Sequence, residues 1–139
     1  MAASATVGIL DYGMGNLRSV EKALERSGAR GLVSRDFGEL RAADGLILPG
    51  VGAFPMAMRA VRELALGDLV AERLSVGVPL LGICLGLQLL FEGSSEHEGE
   101  TGLGLLRGRV EPLDAPGLKV PHIGWSPVSW QRRVRSRSQ

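Results

Sequence analysis

The stretch Val78 to Phe91, VPLLGICLGLQLLF, changes its apolar period halfway along. Pro79 to Ile83 reads as a buried strand, and from Leu85 the apolar residues recur at helical spacing, with the chain's only cysteine, Cys84, at the junction. The change of period predicts a strand, a sharp turn and a helix. Gly82 and Gly86 stand two residues either side of Cys84, where so tight a turn presses backbone against backbone and leaves no room for a Cβ. The pattern GxCxG is the cysteine form of a nucleophile elbow. A thiol at a helix N-terminus faces unpaired N–H groups and the positive end of the helix dipole, which favour the attacking thiolate. A lone cysteine is more often a small buried hydrophobe. The two glycines and the switch of period shift the balance toward a nucleophile.

The 139 residues make one domain with room for a core, and 20 glycines beside six aromatic residues suit an α/β protein with tight connections. One cysteine excludes an internal disulfide, and MAASATVGIL lacks the basic start and separate apolar segment of a secretory signal, so the expected location is cytoplasmic. The uncharged run from Val76 to Phe91 is shorter than the ~20 residues of a membrane span and is broken by Pro79 and three glycines, so it reads as core. The net charge of +1 is set by the tail, because Arg132, Arg133, Arg135 and Arg137 supply four of the 16 basic residues. The body is slightly acidic and shows no basic stripe of a nucleic-acid surface. Residues 1–130 are therefore read as the domain and residues 131–139 as a basic tail outside the fold.

Working outward from the elbow, Thr6 to Leu10 forms a first buried strand, followed by the glycine turn Tyr12 to Gly15 and a helix capped by Asn16, with Leu17, Val20 and Leu24 on its apolar face and Gly28 as its stop. Gly13 and Gly15 begin like a dinucleotide fingerprint, but Arg18 occupies the third glycine position. A short strand near Gly31 to Val33 and a polar stretch precede Gly45 to Leu48, a strand that ends at the turn Pro49-Gly50-Val51-Gly52. That turn lies at the carboxyl edge of a parallel sheet, where open α/β folds hold ligands, and is the candidate oxyanion hole. Read alone, it is also an ordinary βα loop. Ala53 to Leu74 then reads as helix interrupted near Gly67-Asp68 and ended by Gly77. Beyond the elbow, His97 falls in the polar loop Glu92 to Glu100. Strands are expected near Arg109 to Leu113, Val120 to Ile123 and Val128 to Trp130, with His122 on the second. The fold class is α/β, an open, mainly parallel sheet with helices on both faces.

Five segments together carry a family resemblance: DYGMGNLRSV (Asp11 to Val20), LPGVGAF (Leu48 to Phe54), GICLGLQLLF (Gly82 to Phe91), GLGLL (Gly102 to Leu106) and VPHIGW (Val120 to Trp125). The chain resembles the class I glutamine amidotransferases, and within them the glutaminase-subunit family of imidazole glycerol phosphate synthase, over about residues 5 to 130. The resemblance implies glutamine hydrolysis to glutamate and ammonia in histidine biosynthesis, with Cys84 as nucleophile and N–H groups of Val51, Gly52 and Leu85 as the oxyanion hole. It further implies Gly52 and Gln88 on the substrate, no cofactor or metal, and a heterodimer with the cyclase subunit through Asn16, Arg18, His122 and Trp125. The family also carries an activating HxE pair downstream of PHIGW. Neither His97 nor His122 stands in such a motif, and Ser126 replaces the usual asparagine. The expectation is a C-terminally truncated glutaminase subunit, its last strands missing and its apolar edges prone to self-association, inactive as given. A non-catalytic partner-binding remnant and another cysteine hydrolase of this fold, with His122 as base, are the alternatives.

Overall fold

The computed structural model describes residues 3–96 and 99–131. Four parallel strands form the main sheet: β1 (Thr6–Leu10), β2 (Arg30–Ser34), β3 (Gly45–Leu48) and β4 (Leu80–Gly82), in the order β2-β1-β3-β4. Ile9 pairs with Val33 on one side and Ile47 on the other, and Leu48 pairs with Gly82. The open parallel sheet expected from the strand and helix alternation is present.

Between the strands run α1 (Leu17–Arg26), α2 (Phe37–Arg41), α3 (Phe54–Glu63), α4 (Leu66–Ser75) and α5 (Leu85–Leu89). Asn16 caps α1, its side-chain oxygen accepting from the Ser19 N–H at 3.3 Å, and Gly28 ends the turn at φ +83°. Alternate strand residues face opposite sides of the sheet. Leu10, Leu46 and Leu48 pack with Leu40, Phe54, Met58, Leu69 and Leu89 in one core beneath α2 to α5. Each fully buried side chain of this size contributes about 1.5–3 kcal/mol of apolar burial. On the other face lies α1, none of whose residues is buried. It leaves Ile47 and Leu81 bordering a cavity, and Leu81 is 57% exposed.

Four details depart from the sequence reading. The polar stretch before β3 contains α2, because Asp36 accepts from the Glu39 N–H at 2.9 Å and starts a helix there. The break between α3 and α4 falls at Leu64–Ala65 rather than Gly67-Asp68, with Ala65 in the left-handed region at φ 51°. After α5 the chain enters a second sheet without a long polar loop: β5 (Phe91–Ser94) pairs antiparallel with β6 (Glu100–Thr101) and parallel with β7 (Leu106–Val110). Phe91 therefore begins a strand, and β7 starts three residues before the predicted position. Residues 111–131 hold no strand or helix, so the strands expected near Val120 to Ile123 and Val128 to Trp130 do not form and His122 lies on exposed coil. Their apolar side chains pack against no sheet, and Ile123, Trp125 and Trp130 are all more than 80% exposed. His97 and most of the basic tail lie outside the described residues. No helix among the described residues is long and apolar enough to cross a membrane.

Candidate active site

Cys84 sits between β4 and α5 with φ 54° and ψ −121°, a conformation that costs a non-glycine residue about 1–3 kcal/mol. The turn is held by close backbone packing. A Cβ on Gly82 would lie 2.6 Å from the Leu87 Cα, and one on Gly86 would overlap the Leu48 carbonyl. Both glycines are thus required by space, as the tight-turn reading expected. The strained backbone projects the thiol outward, and Cys84 is exposed.

The turn after β3 runs beside the elbow. The Ile83 N–H donates to the Leu48 carbonyl at 3.0 Å and the Leu85 N–H to the Gly50 carbonyl at 3.3 Å, so the β3–β4 ladder continues into the turn. The next amides are engaged as well: Gly86 donates to the Ile83 carbonyl at 2.9 Å, and Leu87 to that of Cys84 at 3.0 Å. The first-turn N–H groups expected to face the thiol unpaired are therefore occupied in this structure, Leu85 among them. The amides of Val51 and Gly52 donate to no carbonyl among the described residues. Val51 is exposed, and Gly52 takes φ +94°, a conformation suited to glycine.

Two cavities flank the turn. One, of about 460 Å³, is lined by Cys84, Gly50 and Val51 together with Ile47, Leu81 and Ile83. The other, of about 330 Å³, is lined by Gly52, Gln88, Ser94, Ser95, Glu96 and Glu111 among others. The structure thus places Gly52 and Gln88 together in one cavity and Cys84 at the other, with the Pro49–Gly52 turn contributing to both. The second has a mixed polar and apolar lining and is large enough for a small amino acid.

Glu96 and Tyr12 join this site without a signal in the sequence reading. Glu96 accepts from the Phe54 N–H at 3.0 Å and so caps α3, whose own N-cap, Ala53, has no side-chain acceptor. Tyr12, from the turn after β1, is buried and donates to the Pro49 carbonyl at 2.5 Å. Burial, and secondarily the neighbouring Cys84, push its phenol up to about 12. Each contact joins segments tens of residues apart, which no local pattern reveals.

Of the predicted partner-facing residues, Asn16 and Arg18 share the amino end of α1, where they border a cavity with Lys22 and Arg26. His122 and Trp125 stand exposed in the 111–131 segment, and no hydrogen bond joins the two pairs. Nor does any described residue hydrogen-bond the Cys84 thiol. No cluster of potential metal ligands occurs among the described residues.

Comparison with known proteins agrees with this geometry. Residues 9–128 match the family model described as Glutamine amidotransferase class-I. The imidazole glycerol phosphate synthase subunit HisH of Geobacillus thermodenitrificans is 52% identical over 131 residues, covering 91% of this chain and 62% of the relative. The protein of the same name from Moorella thermoacetica is 54% identical over 126 residues, covering 91% of this chain and 60% of the relative. A crystal structure of a glutamine amidotransferase superposes with a TM-score of 0.67 at 30% identity, covering 82% of this chain and 59% of that one. The chain spans about three fifths of the length of the curated relatives it matches. With a family match across most of its length and a cysteine elbow beside the PGVG turn, this chain belongs to the class I glutamine amidotransferase family.

Proposed function

We propose that this chain carries the nucleophile and the glutamine-binding cleft of the glutaminase subunit of imidazole glycerol phosphate synthase, a cytoplasmic partner of a cyclase subunit in histidine biosynthesis. The observation that carries the reading is Cys84 at φ 54° between two glycines that tolerate no Cβ, next to a turn whose Val51 and Gly52 amides donate to no carbonyl among the described residues. Such a backbone is maintained at a cost and serves to expose a nucleophile.

In the proposed reaction the Cys84 thiol loses its proton to water and the thiolate sulfur attacks the side-chain amide carbon of glutamine. The carbonyl oxygen takes up the charge and rests against the N–H groups of Val51 and Gly52, joined by that of Leu85 once its bond to Gly50 opens. Collapse breaks the carbon–nitrogen bond, the nitrogen leaves as ammonia with a proton from solvent, and water then cleaves the thioester to glutamate. Gly52 and Gln88 hold the substrate from the neighbouring cavity, while Asn16, Arg18, His122 and Trp125 face the cyclase subunit. The thiol has no hydrogen-bonded base among the described residues, and near-zero ammonia release by this chain is for that reason part of the proposal.

Substrate recognition is tested by following iodoacetamide alkylation of Cys84 with and without glutamine. Glutamine slows the alkylation, asparagine does not, and Gln88→Ala weakens the protection about tenfold, as expected for loss of a good polar contact. Equal alkylation rates with and without saturating glutamine would remove the reading.

A further inference from the structure

Pro49 and Gly50 continue the path of β3 beyond Leu48, its last paired residue. On the side toward β4, the Leu48 and Gly50 carbonyls accept from Ile83 and Leu85. The carbonyl between them, that of Pro49, points the other way, as alternation along an extended chain requires. There the Tyr12 hydroxyl donates to it at 2.5 Å. The arrangement follows from the register of the sheet: Ile9 of β1 lies against Ile47 of β3, so the turns after the two strands leave the same edge side by side. No backbone amide from β1 reaches Pro49, and a buried carbonyl without a donor is costly.

We propose that Tyr12 is a positioning residue for the glutaminase site: its hydroxyl fixes the Pro49 carbonyl and thereby sets the distance and orientation of the Gly50–Val51 peptide relative to Cys84. The proposal rests on the glutaminase reading for its catalytic consequence, but its geometry stands apart from that reading. Space around Gly50 supports it. A Cβ there would lie 2.5 Å from the Tyr12 oxygen and 2.9 Å from the Gly86 nitrogen, so the turn is gripped between the tyrosine and the elbow with no slack. Tyr12 is buried among apolar residues of the core, and that burial holds its phenol protonated, and so a donor, up to about pH 12. A tyrosine in this position acts through the turn and touches no reacting atom.

The test uses Tyr12→Phe in the full chain, with residue-resolved amide hydrogen exchange and the alkylation kinetics of Cys84. Loss of the hydroxyl speeds exchange at Leu85 about three- to tenfold, the range of one net hydrogen bond, while Ile9 and Leu46 stay within twofold. The rate ratio for Cys84 with a glutamine-derived chloromethyl ketone over iodoacetamide falls by a similar factor, because only the ketone uses the turn. Unchanged Leu85 exchange in a folded variant overturns the proposal. If wild-type Cys84 ignores the ketone, the glutaminase reading fails while the exchange result still decides the role of Tyr12. Should Tyr12→Phe not fold, fluorotyrosine incorporation replaces it, since Tyr12 is the only tyrosine. Its more acidic phenol donates more strongly and slows Leu85 exchange, and a faster or unchanged rate contradicts the proposal.

Discussion

The Leu85 N–H donates to the Gly50 carbonyl at 3.3 Å, directly beside the Cys84 thiol. One hydrogen bond therefore joins the elbow to the PGVG turn, and the amide that follows Cys84 is occupied in this structure. The packing around that bond leaves no spare volume. Gly86→Ala would drive a methyl group into the Leu48 carbonyl, and Gly50→Ala would place one 2.5 Å from the Tyr12 oxygen. The first overpacks backbone and the second a buried hydroxyl together with the Gly86 amide, none of which can yield easily, so each should destabilise the chain by about 2–3 kcal/mol. Urea unfolding checks this, and a loss below about 0.5 kcal/mol would show that the turn has room to adjust.

Strain at Cys84 predicts a gain of stability when its side chain is removed. At φ 54° glycine carries no Cβ penalty, and the exposed thiol has little packing to lose. Cys84→Gly should therefore raise stability by about 1 kcal/mol, the strain relief being partly offset by glycine's greater unfolded-state entropy. Cys84→Val, β-branched at the same φ, should lower it. Opposite shifts in thermal midpoint are the expected result.

Tyr12 makes stability fall in alkali. Its phenol is raised from the ordinary 10.0 to about 12, so between these values the folded chain retains a proton that the unfolded chain has lost. The contribution is complete below about pH 10 and disappears as pH rises toward 12, a difference of about 2–3 kcal/mol across the window. Tyr12→Phe should flatten this part of the stability curve. Tyrosinate absorbance reads the same group directly, because the chain has no other tyrosine, and a midpoint near 10 would contradict the burial argument.

The far side of β4 predicts self-association. Among the described residues β4 pairs only with β3, and Leu81 is 57% exposed on a sheet face that α1 does not cover. An unpaired, apolar edge recruits other edges. Sedimentation at rising concentration should show oligomers, and Leu81→Lys should shift them toward monomer.

Local pattern made the main sheet legible. TVGIL, GLIL and PLLGI are short apolar runs ended by Asp11, Pro49 and Cys84, and each became a strand because its period and length fit no helix. Gly82 and Gly86 announced the elbow, since the absence of side chains on both sides of Cys84 is itself the steric signal. Features set by distant contacts were not legible. α2 depends on the Asp36 cap within a stretch that composition alone marked polar, and α5 stops after five residues because the chain is drawn into β5 against β7. Val120 to Ile123 reads as a strand, yet in this structure it joins neither sheet. Glu96 at the Phe54 amide and Tyr12 at the Pro49 carbonyl span 42 and 37 residues, and only the sheet register brings them together.

The central claim is that Cys84 is a nucleophile for the glutamine side-chain carbonyl. Its most direct measurement is intact-mass and peptide analysis after exposure to a glutamine-derived chloromethyl ketone, with and without excess glutamine. One adduct per chain is expected, on Cys84, lost in Cys84→Ser and suppressed by glutamine. An adduct that forms equally fast in the presence of glutamine, or none under conditions where iodoacetamide labels Cys84, would contradict it.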